Sequence, residues 1–389
     1  MMPSKSYKNV THICLIDENP ISVLSPLVDP YIPSHRVVFA VKENQQRDVD
    51  RLKKVLLPKG IKVSSWLLPT TTNTGELIDS FNKLVTDELQ SNPLHQLVLN
   101  TSCGSRHYAL AAFEVARNHK LHCFVVEPDF DHLYWLYPEE KANSAIAEKL
   151  KIQDYMTALD CTIGSIANHG VVDKSIRNLG ASWASQVNYL ENSLSTLNYL
   201  AFTADNPRLT SSRLSQAQLD DHILYSMLDD LITVGMLTIN DDYLIFKNES
   251  ARFFVNGGWL EEYVHGVILS LKKEVKTIQD CAQGVEIVRQ VKGGTVKNEL
   301  DVLALANNRL HLIECKTKKF EKGEGNDVIY KLDSLVDLLG GINGRAMLVS
   351  FKNIRISEKH RAKELDIHII GSNELPNLSM HLKHWLLSA

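Results

Sequence analysis

From residue 9 to about residue 140, short apolar runs alternate with longer amphipathic stretches. The runs are NVTHICLI, HRVVFAV, KVSSWLL, HQLVLN and LHCFVVE; stretches such as RDVDRLKKVLLPKG and GELIDSFNKLVTDELQ lie between them. Strand-length runs spaced by helix-length segments predict an open α/β sheet of parallel strands. In such sheets ligands settle beyond the carboxyl ends of the strands, which singles out the loops Asp17 to Ile21, Thr70 to Gly75 and Asn100 to His107. The texture changes after about residue 150. SLSTLNYLAF and SSRLSQAQLDDHILYSMLDDLITVG read as helices, and MLTINDDYLIF as a hairpin over Asn240-Asp241-Asp242. That is the order of a winged helix, although the same pattern serves as a connector or dimer platform. From residue 251 onward the pattern gives a helix after Gly257-Gly258, the strand GVEIVRQV, a hairpin, a helix, the strand RAMLVSF, a helix and the strand DIHIIG. Three segments follow: 1–150, 151–250 and 251–389.

The hairpin, KNELDVLALANNRLHLIECKT, carries charge inside apolar strands. Asn307-Asn308 suits the positive φ of a two-residue type I′ turn, and counting outward sets Asp301 against Glu314 and Glu299 against Lys316. Alternation places these four on one face with Leu303, Leu305, Leu310 and Leu312, and puts Leu300, Val302, Ala304 and Ile313 on the other. Two carboxylates opposed in a dry sheet repel, so a positive charge between them is expected, and a divalent cation is the economical choice. A structural salt-bridge cluster is the bland alternative. In the preceding helix, Leu260, Val264, Val267 and Leu271 recur at helical spacing. Glu261 flanks that stripe, whereas Glu262 projects further round towards solvent.

These residues resemble the catalytic core of the PD-(D/E)xK, or restriction-endonuclease-like, superfamily, with Asp301 as the first acid and Glu314-Cys315-Lys316 as the E-x-K. The resemblance implies that Asp301 and Glu314 hold Mg²⁺ or Mn²⁺, that Glu261 is an accessory metal-binding acid, and that Lys316 positions the attacking water and stabilises phosphate charge. Lys331, on the following helix, is within possible reach of phosphate but reads more simply as a surface lysine.

The loop LVLNTSCGSRHYALAAFE ends a strand at Asn100 and offers Thr101, Ser102, Cys103, Gly104 and Ser105 before Arg106 and His107 open a helix. Hydroxyls and backbone amides at a helix N-terminus can cradle phosphate, and a capped strand-loop-helix junction is the generic alternative. The loop resembles the N-x-T-G-G-T-K motif of CRISPR-associated Rossmann-fold (CARF) domains, with Ser102-Cys103-Gly104 where T-G-G is usual and Arg106 where lysine is. Asn19, Thr71, Thr72 and Asn73 are expected at the same end of the sheet. Taken together the chain resembles the ancillary nucleases of type III CRISPR defence. The fold class implied is α/β: a Rossmann-like parallel sheet, a small winged-helix-like middle segment and a restriction-endonuclease-like α/β domain. The resemblance also implies a homodimer sharing one cyclic oligoadenylate activator, most often cyclic tetra-adenylate, and cutting DNA or RNA.

Composition narrows this little. The 389 residues, 44% of them hydrophobic, suit a multi-domain globular chain. A net charge of −4 and a pI near 6.4 argue against bulk duplex nucleic acid as main partner, so basic surface for a substrate must be local. Six scattered cysteines without a C-x-x-C pair, and no long apolar run, lead to the expectation of a reduced, cytoplasmic protein that does not span a membrane. Two other readings remain: a nucleotide-responsive transcription regulator using the middle segment, which lacks a basic recognition helix, and a constitutive DNA-repair or restriction nuclease.

Overall fold

The computed structural model describes residues 9–17, 20–127, 132–147, 150–168, 173–318 and 324–387. Its N-terminal sheet contains β1 (Asn9–Leu15), β2 (Arg36–Val41), β3 (Lys62–Leu67), β4 (His95–Asn100), β5 (His122–Glu127), β6 (His132–Tyr137) and β7 (Ser144–Ala145), in the order β3-β2-β1-β4-β5-β6-β7. The first five are parallel, as the alternation of runs and helices requires, and β6 and β7 extend the edge antiparallel. Along β1 and β2 the side chains alternate faces. Cys14, Val37 and Phe39 pack with the helix Gln46–Leu56, while Ile13, Leu15 and Val38 pack with the helices Thr74–Ser91 and Arg106–Asn118. The strand order reverses between β1 and β4, so the loops after these strands part and leave a crevice.

The middle segment is helical. The helix Val187–Thr203 is followed by a short one, Gln216–Leu219, and by His222–Thr233, which Asp221 caps through the Ile223 and Leu224 amides. The single helix read from Ser211 onward is therefore broken, because Ser215 and Asp221 both stop and restart the backbone as caps. The hairpin follows as β9 (Leu237–Asn240) and β10 (Tyr243–Phe246), with Asp241 and Asp242 at positive φ in its turn.

One strand of the segment expected to be a connector belongs elsewhere. β8 (Cys161–Asn168) pairs antiparallel with β11 (Ile278–Val291) and forms the edge of a second sheet, ordered β15-β14-β13-β12-β11-β8. Its other members are β12 (Gly294–Ala306), β13 (Arg309–Lys316), β14 (Arg345–Ser350) and β15 (Ile367–Ile370). β11 also starts six residues before the run GVEIVRQV, in a polar stretch, Gln279-Asp280 and Gln283, whose side chains are nevertheless buried. One face of this sheet packs Trp259, Val264, Ile268 and the C-terminal helix Leu378–Leu387; the other packs the helices Glu324–Gly340 and Ile356–Glu364. The same second face continues, through Ile152, Tyr155 and Met156 of the helix Ile152–Ala158, into the core below β1 and β2. The two sheets thus share one continuous apolar cluster. No helix among the described residues is long and apolar enough to cross a membrane, and no disulfide joins the six buried cysteines.

Candidate functional site

The motif hairpin closes as its sequence requires. Asn307 and Asn308 take φ of 51° and 53°, and the register runs from Ala306 opposite Arg309 to Val302 opposite Ile313. Continued by one step, that register opposes Asp301 to Glu314. The turn is not at the surface: Asn308 is 5% exposed, and its amide and side chain bond to Gln279 at 2.7 Å each, while Gln279 also donates to the Leu150 carbonyl.

The alternation expected along β12 does not hold throughout. Leu300 joins the cluster of Leu303, Leu305 and Leu312, not that of Val302 and Ala304. The break falls where Gly284 of β11 stands between the pairs Gln283–Val302 and Val285–Leu300, at φ 58°. A Cβ at Gly284 would also lie 2.6 Å from that of Ala167 on β8, so both backbone conformation and strand contact demand glycine.

Asp301 accepts from the Cys315 amide at 2.7 Å, and Lys316 Nζ lies 2.6 Å from Glu314 Oε1. Burial first, and then Glu314, pushes Asp301 up to about 7, with the Cys315 amide and Lys316 working against the rise. Burial disfavours the Lys316 charge, but Glu314 and then Asp301 outweigh it, and the ammonium stays protonated above its ordinary range. The helix Trp259–Leu271 supplies the next acid. A kink at Asn256-Gly257, with Gly257 at φ 111°, sets the start of this helix against the end of β13, where a Cβ on Gly257 would meet Thr317 Oγ1 at 2.1 Å. Glu261 consequently faces the sheet. Burial, then Asp301 and Glu299, pushes it up to about 9, and a hydrogen bond with Gln283 partly offsets this.

Glu262 does not reach open solvent as expected. It is half-buried, and burial alone lifts it to about 7. The helix Lys174–Ser185 packs along the stripe of Trp259, Tyr263 and Gly266, which covers that side. Lys331 is exposed on the helix Glu324–Gly340. The residue missed in the sequence is Gln283, 2% exposed and with its Oε1 buried without a hydrogen-bond partner. It precedes Gly284, where the strand was read to begin.

The donors around Asp301 are all hard oxygens, Asp301 and Glu261 are raised by burial and by neighbouring carboxylates, and a buried amide oxygen lacks a partner; this chemistry fits Mg²⁺ or Mn²⁺. Among the described residues, however, no three His, Cys, Asp or Glu side chains come close enough together to hold an ion. Glu314 is drawn to Lys316, and Asp301 to the Cys315 amide. An ion between them would take further oxygens from Gln283, the backbone or water.

At the N-terminal end, a cleft of about 470 Å³ opens beyond β1 and β2, lined in part by Asp17, Lys42, Gln45, Gly104, Ser105 and Tyr108. Asn19 lies outside the described residues. Asn100, Thr101, Ser102 and Cys103 do not line the cleft. Asn100 donates to the Ser22 carbonyl and accepts from the Ser102 amide and hydroxyl, Thr101 donates to the Phe124 carbonyl, the Val126 amide donates to Ser102, and Cys103 is buried. Their hydroxyls and amides fix the loop, and that leaves Gly104 and Ser105 to face the opening. Arg106 and His107 are exposed on the first turn of their helix. The Thr71 to Asn73 loop meets them: Tyr108 donates to the Pro69 carbonyl at 2.7 Å, His107 Nε2 lies 3.5 Å from the Thr71 carbonyl, and Asn73 caps the next helix through the Gly75 amide. Lys42, 4.6 Å from the Tyr108 ring centroid, was not foreseen, since it follows β2 in a segment without a small-residue loop.

Residues 248–389 match the family described as Card1-like, endonuclease domain. The protein VC1899 from Vibrio cholerae superposes with a TM-score of 0.91 at 36% identity, over 97% of this chain and 98% of that one. Can2 from Sulfobacillus thermosulfidooxidans, solved in complex with cyclic tetra-adenylate, aligns over 97% of this chain and 99% of its own with a TM-score of 0.76 at 22% identity. A type III CRISPR defence DNA nuclease activated by cyclic oligoadenylate aligns at 14% identity and a TM-score of 0.57, over 88% of this chain and 45% of that one. The latter two likenesses speak to fold. No curated protein sequence matches the chain.

Proposed function

The chain belongs to the same family as VC1899 and carries a Card1-like endonuclease domain, and from that premise we propose that it is a metal-dependent nuclease switched on by a cyclic oligoadenylate. The observation that carries the nuclease half is the convergence of Asp301, Glu314 and Lys316 at the end of one hairpin, inside the segment that matches the endonuclease family. In this reading the PD-(D/E)xK motif is Asp301 with Glu314-Cys315-Lys316, and residues 251–389 with β8 form the nuclease domain.

Asp301, Glu314 and Glu261 would hold Mg²⁺ or Mn²⁺ once the ion draws Glu314 from Lys316 and brings the three acids together, with Gln283 beside them; when bound, such an ion supplies Lewis acidity and a water of lowered pKa. The chain's own groups do the rest. The Cys315 amide orients Asp301, Gln283 orients Glu261, and Lys316, kept protonated by Glu314, offers a positive charge to a phosphate oxygen as charge builds there.

For the sensing half, residues 1–150 form the CARF-like domain. Gly104, Ser105, Arg106, His107, Thr71, Thr72 and Asn73 would meet the phosphates at the mouth of the cleft, with Lys42 adding charge. The solved Can2 complex supports cyclic tetra-adenylate as the ring to try first. The active form is a cytoplasmic homodimer in this reading. Cleavage of single-stranded and supercoiled substrates in Mn²⁺, with cyclic oligoadenylates of different ring size, tests it. Activity that survives EDTA, or in Asp301→Asn, would remove the metal-nuclease reading.

A further inference from the structure

The helix Gln46–Leu56 has two neighbours. Its first turns supply Asp48 and Arg51 to the wall of the N-terminal cleft. It also packs on the helix Ile152–Ala158, which in turn packs on β8, β11 and β12. Buried groups bond that second helix to the second sheet: the Ile152 amide donates to Asp280 at 3.0 Å, and Gln279 donates to the Leu150 carbonyl. Towards the N-terminal half it is held by apolar packing and two ion pairs, Lys59 with Asp154 at 2.8 Å and Arg47 with Asp160. Asp160, at φ 60°, is the joint between this helix and β8. Next to Arg47, Asp48 pairs with Arg51 at 3.2 Å, and Arg51 Nε is buried without a hydrogen-bond partner. Burial raises the pKa of Asp48; Arg51 works against the rise, Asp160 adds to it, and Arg47 lowers it again. Two arginines and two acids thus alternate, Arg51, Asp48, Arg47, Asp160, from the cleft to the residue before β8.

Such a row can pair in two ways. In the arrangement described, Arg51 neutralises Asp48 and Arg47 neutralises Asp160. A phosphate in the cleft competes with Asp48 for Arg51, because a guanidinium grips phosphate with the same fork it offers a carboxylate. Asp48, half-buried and deprived of Arg51, then draws on Arg47. Asp160 loses its partner, and the start of β8 comes free of the helix Gln46–Leu56. β8 bears on the distant hairpin through β11, where Gly284 meets Ala167 and Gln283 bonds Glu261. We propose that the pair Arg47–Asp160 is a latch that holds the second sheet in its resting arrangement, and that an anionic ring in the cleft opens it by taking Arg51 from Asp48. The inference rests on the sensing reading above and names how that site is coupled to the hairpin.

The test uses the full chain with Asp160→Asn, which tolerates the positive φ, with Arg47→Gln, and with Arg47→Lys as the charge-keeping control. The side chains of Arg47 and Asp160 are 66% and 38% exposed, so losing their pair should leave the fold intact. Amide hydrogen exchange across β8 and β11 and calorimetry with cyclic tetra-adenylate are the readouts. In the parent the ring should speed exchange across β8 at least about five-fold. In Asp160→Asn and Arg47→Gln the ring-free protein should already exchange at that level, and the ring should add less than about two-fold. Both should bind the ring about three-fold or more tightly than the parent, because opening the latch no longer costs part of the binding energy. Structural damage would weaken binding instead. Arg47→Lys should match the parent. Ring-free exchange that stays at the parental level, or ring binding no tighter than the parent's, overturns the proposal. Ring-free cleavage, measured alongside, should rise about five-fold or more in both variants. If the ring drives cutting by the parent while the variants behave as the parent does, the latch alone fails; if the latch behaves as expected but nothing is cut, the nuclease reading alone fails. A parent that binds no ring removes the sensing reading and the latch together.

Discussion

At the scale of residues, burial and charge among Asp301, Glu314, Lys316 and Glu261 set the electrostatics at the end of the hairpin. Lys316 sits among these acids, and burial, then the neighbouring carboxylates, raises both Asp301 and Glu261 in the metal-free site. Asp301 and Glu261 have folded pKa values near 7 and 9, above those of an unfolded chain. The stability this contributes is complete below the ordinary carboxylate range and is lost as pH rises through those values. The melting temperature of metal-free protein should therefore fall as pH rises from about 5 to about 9, and Glu261→Gln should remove the upper part of the fall. A flat profile would contradict the coupling of these acids. Glu261→Ala should also weaken Mn²⁺ binding in calorimetry more than Glu262→Ala, since only Glu261 faces Asp301. The register that sets Asp301 against Glu314 was legible because a two-residue Asn-Asn turn fixes it. Gln283 was not legible, because nothing in AQGVEIV distinguishes a buried site amide from a loop residue before a glycine. The cover over Glu262 was hidden too, since it comes from a helix some eighty residues upstream.

At the scale of elements, two features hold the hairpin in place. Gly284 lets β11 change its alternation beside Asp301 and lets β8 approach, and Gly284→Val combines a positive φ with a clash against Ala167. It should cost about 2–4 kcal/mol in denaturant unfolding, from backbone strain and overpacking together. At the other end, Gln279 satisfies two buried groups of Asn308. Gln279→Ala should cost about 1–3 kcal/mol, whereas an ordinary exposed turn would lose almost nothing. Strands β1 to β5 and β11 to β15 were readable from their runs, whereas β6, β7 and the helix Leu378–Leu387 were not. β8 escaped because CTIGSIAN lacks a long apolar run, and an edge strand needs only one buried face. The break before Asp221 escaped because Ser and Asp caps inside a long helical pattern look like ordinary polar-face residues.

At the scale of the whole molecule, the helix Ile152–Ala158 ties the N-terminal sheet to the second sheet. It joins the core below β1 and β2 to the face of Leu303 and Leu312, its Ile152 amide donates to Asp280 at 3.0 Å, and Lys59 pairs with Asp154 at 2.8 Å. A ligand that favours one arrangement of the N-terminal loops can therefore bias the hairpin through packed contacts, provided it binds that arrangement more tightly. If two subunits share one ring, calorimetry should count one cyclic tetra-adenylate per dimer, and Arg106→Ala with Asn73→Ala should weaken binding at least about ten-fold. One ligand per monomer would contradict the shared site. Whether one chain carries both a metal nuclease and its nucleotide switch is decided by single-turnover cleavage of a single-stranded oligonucleotide in Mn²⁺, with and without cyclic tetra-adenylate, for the unsubstituted chain and Glu314→Ala. Cleavage should rise at least about a hundred-fold with the ring and disappear in Glu314→Ala even though the ring still binds. Equal cleavage with and without every ring size tried, or undiminished cleavage by Glu314→Ala, would contradict that pairing of nuclease and switch.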